Sequence, residues 1–183
     1  ISIYSFVADP YVPGIVYALS DYGLWRTIDQ GDIWLQANKN MRAKGEQAVL
    51  HGLIFNMNNT NQMFSAGLFT GLGKIFGTNN GGDTWQELYK ELKTGITEVG
   101  IAVDANNPNS LYALSSDLGF KESFDEGKSW KKVRWLSDEI SILKDGIAMQ
   151  YWANPTNINE MFLLTHKGIY RSVNRGATWE SKN

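Results

Sequence analysis

One eight-residue signature returns four times along this chain: TIDQGDIW (Thr27 to Trp34), TNNGGDTW (Thr78 to Trp85), SFDEGKSW (Ser123 to Trp130) and SVNRGATW (Ser172 to Trp179). Each copy has Ser or Thr first, Asp or Asn third, Gly fifth and Trp eighth. The tryptophans stand 51, 45 and 49 residues apart. A period of that size marks a repeat architecture in which one supersecondary unit recurs.

The repeat extends upstream of the signature. An aromatic recurs in each unit at Tyr17, Phe64, Tyr112 and Phe162, and eight residues before each stands Asp9, Asn56, Asp104 or Asn154. Between these markers lie DPYVPG, NMNNTNQ, DANNPNS and NPTNINE. Pro presets φ, and Asn and Asp bond their own backbone, so the four runs read as hairpin loops. Four strands per unit follow; in the first they fall at Ser2 to Ala8, Ile15 to Ser20, Leu24 to Ile28 and Asp32 to Ala37. The first strands of later units read as Ala48 to Asn56, Thr97 to Asp104 and Ile147 to Ala153. Second strands such as IVYALS are rich in β-branched and aromatic residues and too short for helices. Only the connectors around Met41 to Gln47 and Leu136 to Lys144 are candidates for a helical turn.

A unit of this length with four antiparallel strands corresponds to one blade of a β-propeller, whose faces are covered only by neighbouring blades. The expected fold is therefore all-β, a single propeller domain or segment over residues 1–183. Its four four-stranded blades fall at approximately 1–40, 47–90, 96–135 and 145–183, and they form part of a larger ring. Ile1 already reads as strand, with no initiator Met or basic leader ahead of it, which points to a processed or partial product.

The pattern S/T-x-D-x-G-x-x-W is the Asp-box, or bacterial neuraminidase repeat, and the chain resembles Asp-box propellers over nearly its whole length. That group includes sialidases, xyloglucan-degrading endoglucanases, sortilin-type receptors and photosystem II assembly factors. The phrase VYALSDYGLWRTIDQGDIW is most similar to repeats of the last three branches. The resemblance places each box in the hairpin between a blade's third and fourth strands. Asp29, Asn80, Asp125 and Asn174 then accept bonds from turn amides. Gly31, Gly82, Gly127 and Gly176 supply positive φ. Trp34, Trp85, Trp130 and Trp179 pack across the turn into the sheet, each contributing roughly 2–3 kcal/mol or more. Four equivalent copies, two of them with Asn, imply a folding device and no catalytic or metal-binding charge.

Functional classes narrow by exclusion. A formal net charge of -2 leaves no electrostatic footprint for nucleic acid. No apolar run approaches the ~20 residues of a membrane span. Without cysteine there is no thiolate metal site and no cysteine nucleophile. His51 and His166 occupy non-equivalent repeat positions, so no metal and no cofactor is expected. Sialidase chemistry requires three converging arginines, yet only Arg26, Arg42, Arg134, Arg171 and Arg175 exist, with Arg26 and Arg171 equivalent in the repeat. The endoglucanase resemblance implies a catalytic Asp after a second-strand YA-type run, where Asp21 follows VYALS. Glycoside hydrolysis needs a second, facing carboxylate, and the resemblance puts that group in a propeller domain absent here; Asp21 is a weak candidate.

What remains is the face opposite the box turns, formed by second-to-third-strand loops and connectors. Tyr22, Arg42, Arg134, Trp135 and His166 are its candidate binding residues, an aromatic and charged mixture suited to protein or glycan. The expected function is a noncatalytic binding or assembly module, secreted, periplasmic or on a cell surface. Its partner would be a protein or a second copy completing the ring, or a glycan. The alternative is a fragment of a carbohydrate-active enzyme.

Overall fold

A computed structural model of the chain describes residues 1–41, 46–90, 99–115, 119–132, 148–154 and 156–182. The described residues hold sixteen strands and no helix. The first sheet comprises β1 (Ile3–Ala8), β2 (Val16–Ser20), β3 (Gly23–Thr27) and β4 (Leu35–Gln36). The second has β5 (Ala48–Asn56), β6 (Asn59–Phe69), β7 (Leu72–Thr78) and β8 (Gln86–Lys90). The third has β9 (Val99–Asp104), β10 (Asn107–Ser115), β11 (Gly119–Ser123) and β12 (Lys131–Lys132), and the fourth β13 (Ala148–Ala153), β14 (Met161–Thr165), β15 (Gly168–Ser172) and β16 (Glu180–Ser181). Each sheet is an antiparallel meander in chain order, the blade that the repeat implies. Residues 1–94 and 95–183 form two compact units of two blades each.

The local chemistry repeats with the sequence. The side chains of Asp9, Asn56, Asp104 and Asn154 each accept the backbone N–H two residues on, at 2.9, 2.9, 2.9 and 3.0 Å. These Asx turns open every first hairpin. Two hairpins are tighter than the sequence suggests. NMNNTNQ and DANNPNS read as loops, but β6 resumes at Asn59 and β10 at Asn107, leaving only two turn residues in each. Bulges at Phe55/Asn56 and between Asn107 and Leu111 absorb the extra residues within the ladders. The first unit's fourth strand is also shorter than expected: Asp32 to Trp34 belong to the box turn, and pairing runs only over Leu35–Gln36. The two connectors that were helical candidates lie largely outside the described residues.

Each unit has its own core, built where one blade faces the next. In the first, Tyr17, Leu19 and Leu24 of the first blade bury against Leu53, Phe55, Met63, Phe76 and Trp85 of the second. Tyr17 meets Phe55 edge-on with ring centroids 5.8 Å apart. In the second unit, Tyr112, Leu114 and Phe120 pack against Met161, Leu163 and Tyr151. Tyr151 lies edge-on to Phe120 at 5.9 Å. Burial pushes its hydroxyl well above the ordinary tyrosine range.

Sheet parity sorts the apolar residues of the fourth blade: Tyr170 and Trp179 pack toward the third blade. The face turned the other way carries Trp152, Phe162, Leu164, Ile169 and Arg171, which the β13–β14–β15 register places side by side. Adjacent strand residues point to opposite faces, so Ile169 and Tyr170 cannot share one.

Candidate functional site

All four boxes close in the same way. The first-position hydroxyl of Thr27, Thr78, Ser123 or Ser172 donates to the third-position Asp or Asn. The same hydroxyl oxygen accepts the fifth-position glycine N–H, at 2.9, 3.2, 2.8 and 2.8 Å. The third-position oxygen then accepts the seventh-position N–H of Ile33, Thr84, Ser129 or Thr178. The acids are thereby spent inside their turns. Asp125 falls to about 2 because the Ser129 hydroxyl, the Ser129 N–H and the Ser123 hydroxyl all donate to it. The Ile33 N–H and the Thr27 hydroxyl lower Asp29. A carboxylate so stabilised as an anion is a poor general base.

One feature of the box escapes a motif reading. The fourth residue also has positive φ: 65° at Gln30, 65° at Gly81, 61° at Glu126 and 57° at Arg175. Its N–H donates to the carbonyl of Gly14, Asn61, Asn109 or Asn159, three residues before the second-strand aromatic. That bond ties each box to its blade's first hairpin and offsets the left-handed strain of a non-glycine residue.

The opposite ends of the blades carry the second-to-third-strand loops. Asp21 and Tyr22 form the first of these. Ser20 Oγ accepts the Tyr22 N–H at 3.1 Å and donates to the Gly23 carbonyl. The Asp21 carboxylate accepts the Ser2 N–H at 2.9 Å, pinning the start of the chain. Asn38 Nδ2 donates to the Tyr22 carbonyl at 3.0 Å, and the Tyr22 side chain is 46% exposed. The fourth blade repeats the arrangement: Thr165 Oγ1 accepts the Lys167 N–H, and His166 and Lys167 are exposed. Tyr22 and His166 thus crown equivalent loops in their two units, while Arg42, Arg134 and Trp135 lie outside the described residues. Among the described residues no group of three His, Asp or Glu side chains could hold a metal ion. No helix among them is long and apolar enough to cross a membrane.

The junction between the first two blades is a polar clamp that the motif alone did not disclose. Arg26, one residue ahead of the first box, donates from Nη1 to the Gly81 carbonyl at 2.7 Å and from Nη2 to Asp83 at 2.8 Å. The Tyr17 hydroxyl donates to the same carbonyl at 3.0 Å. Trp85 Nε1 donates to the Ala37 carbonyl at 2.8 Å, so the second box is gripped from both sides. The signal was the placement of Arg26 and of Asp83 within their repeats, although their 57-residue separation hid the pairing.

No protein-family model matches the chain, and no curated protein matches it. Solved structures do. An ancestral GH74 enzyme superposes with a TM-score of 0.71 at 22% identity, over 98% of this chain and 24% of the enzyme. YCF48 from Cyanidioschyzon merolae gives 0.63 at 16%, over 98% of this chain and 55% of that one, and a second YCF48 structure has a D1 peptide bound. The extracellular domain of a one-component system from B. thetaiotaomicron gives 0.67 at 16%, over 93% and 21%. The fold is that of a β-propeller. The chain spans about a quarter of the GH74 enzyme and about half of YCF48.

Proposed function

We propose that this chain is a noncatalytic Asp-box propeller segment that binds a protein partner outside the cytoplasm, through the loops headed by Tyr22 and His166. The observation that carries this reading is how its acids are used. Asp29 and Asp125 are locked in their box turns, and Asp21 holds the Ser2 amide, so these three acids each have a structural bond. The exposed groups are instead an aromatic, an imidazole and an ammonium on equivalent loops, a composition suited to recognition. The YCF48 structure with a D1 peptide is a propeller precedent for a peptide ligand, and the extracellular domain is one for location.

A second reading, a piece of a glycoside hydrolase, is favoured by the GH74 likeness and by the position of Asp21 after VYALS. It would require a facing carboxylate from further sequence. The two are separated by incubating the purified chain with xyloglucan and mixed-linkage β-glucan while panning it against a displayed peptide library. We expect no turnover, and peptide binding weakened by Tyr22→Ala or His166→Ala. Turnover abolished by Asp21→Asn would establish the hydrolase reading instead.

A further inference from the structure

The Tyr22 loop and the second box grip the same three residues, 37–39. Ala37 donates its N–H to the Leu24 carbonyl at 2.8 Å, which ties it to β3. Its own carbonyl accepts Trp85 Nε1 at 2.8 Å. Two residues on, the Lys39 carbonyl accepts the Trp85 backbone N–H at 3.0 Å. One tryptophan of the second blade therefore clips the segment at both ends, with Asn38 between the two grips.

Asn38 is buried, and its Nδ2 donates to the Tyr22 carbonyl at 3.0 Å. The fit is close. A Cβ on Gly23 would stand 2.5 Å from Asn38 Nδ2 and 3.3 Å from both its Cβ and its Cγ, and Gly23 has a φ of 98°. The amide of Asn38 thus fills the space that a side chain at residue 23 would take, in a turn whose backbone already requires glycine. The second blade reaches the loop once more through Ala48. This fully buried residue donates its N–H to the Asp21 carbonyl at 3.3 Å and forms a parallel bridge with Tyr22. In the second unit the indole of Trp179, the equivalent of Trp85, donates instead to Gly176 of its own box. Among the described residues, the link from box to loop belongs to the first unit.

We propose that Asn38 is the positioning residue of the Tyr22 loop, and that Trp85, in the box of the next blade, sets where Asn38 stands. A recognition side chain keeps its binding geometry only when supporting bonds behind it fix its backbone. Asn38 supplies that bond to Tyr22, while the Tyr22 side chain stays 46% exposed. The box tryptophan of the second blade is then a determinant of the first blade's recognition loop as well as of the fold. That Tyr22 serves binding rests on the function proposed above; that Asn38 and Trp85 place it does not.

The test is amide exchange at Tyr22 and Ala48, read residue by residue by NMR on the whole chain. The Tyr22 N–H donates to Ser20 Oγ and the Ala48 N–H to the Asp21 carbonyl, so both report opening of the loop. Asn38→Ala should speed both by roughly five- to tenfold, the effect of one lost hydrogen bond. Trp85→Phe keeps a buried ring but removes the indole donor, and it should speed the same two amides by a smaller factor. Arg26→Met is the control. It breaks two bonds of the same junction, both of them to the second box, and should leave the Tyr22 amide at the parent rate. Unchanged exchange in Asn38→Ala or in Trp85→Phe would overturn the proposal, and so would an equal rise in Arg26→Met, which would reduce the effect to a loosened junction. A peptide selected on the parent chain should bind Asn38→Ala and Trp85→Phe more weakly and Arg26→Met as the parent does. Equal binding by all three variants would also overturn the proposal. If no peptide can be selected, the recognition reading of Tyr22 fails, and the exchange rates decide the positioning by themselves.

Discussion

The two units solve one packing problem by different means. In residues 1–94 the blades are joined by directed bonds: Tyr17 and Arg26 reach the Gly81 carbonyl, and the Trp85 indole reaches Ala37 across the junction. Among the described residues of 95–183, Tyr151 is wedged against Phe120 and beside Met161, and the directed bond is that of Asn106 Nδ2 to the Thr156 carbonyl at the edge of the joint. The tryptophans register this difference. Trp85 is 3% exposed and bonds the neighbouring blade, whereas Trp130 and Trp179 are half-buried and donate to the carbonyls of Gly127 and Gly176 in their own boxes. A motif residue that is identical in sequence therefore hydrogen-bonds the neighbouring blade in one place and its own turn in another.

Truncating the indoles is the strongest way to break that contrast. Trp85→Ala should cost about 3–5 kcal/mol, as large aromatic truncations in cores do, and leave the Ala37 carbonyl unpaired. Trp179→Ala and Trp130→Ala should cost roughly 1–2 kcal/mol, because less apolar surface is lost from the core. Denaturant midpoints at unchanged slope measure both. Equal losses at Trp85 and Trp179 would mean that burial at the junction does not set the contribution of the box tryptophan.

The ring-packed joint has its own weak point at Gly100. A Cβ added there would stand 2.9 Å from Tyr151 Cβ and 3.1 Å from its Cδ1. Cβ is the fixed root of the Tyr151 side chain, so no rotamer change clears the overlap. Gly100→Ala should destabilise by about 1–3 kcal/mol, in the range of overpacked cores, and a substitution that leaves the thermal midpoint unchanged would show that the two blades can separate without penalty. Because the effect should be confined to the second unit, amide exchange ought to rise in β9 and β13 while β5 and β6 stay protected.

What the sequence made legible was the turns that close on their own side chains. The Asx turns at Asp9, Asn56, Asp104 and Asn154 and the four box turns depend on their own side chains, so their periodic spacing was sufficient. Contacts between blades were not legible. Arg26 and Arg171 hold one repeat position, yet Arg26 reaches Asp83 while Arg171 folds back on Glu160 at 2.6 Å. The difference lies in what stands opposite each, which the motif does not encode. The face that Tyr170 joins is hidden for a related reason: its neighbour Ile169 is exposed, and only the pairing of Tyr170 with Leu163 shows which side it takes. For the candidate surface, the sequence placed Tyr22 and His166 on loops from spacing, but did not show that Asp21 accepts the Ser2 N–H.

The smallest expected effect separates the two boxes whose third residue is an acid, one in each unit. Asp29 and Asp125 accept the same backbone N–H and first-position hydroxyl, but the seventh residue is Ile33 in one box and Ser129 in the other. Only Ser129 adds a hydroxyl donor, and that is the largest cause of the fall of Asp125 to about 2. Both groups are depressed, so each contributes stability that is present above the ordinary carboxylate range and is lost as pH falls through the folded-state value. For Asp125 that window runs from the ordinary aspartate value of 3.8 down to about 2. Carboxyl carbon NMR should therefore find Asp125 titrating below Asp29. Ser129→Ala should raise Asp125 toward Asp29 and move the acid-unfolding limb of the second unit to higher pH. Box four offers the internal control, since Asn174 holds the same turn with no titrating group. An Asp125 titration untouched by Ser129→Ala would mean that the hydroxyl bond is not made in solution, and the two acid boxes would then be equivalent.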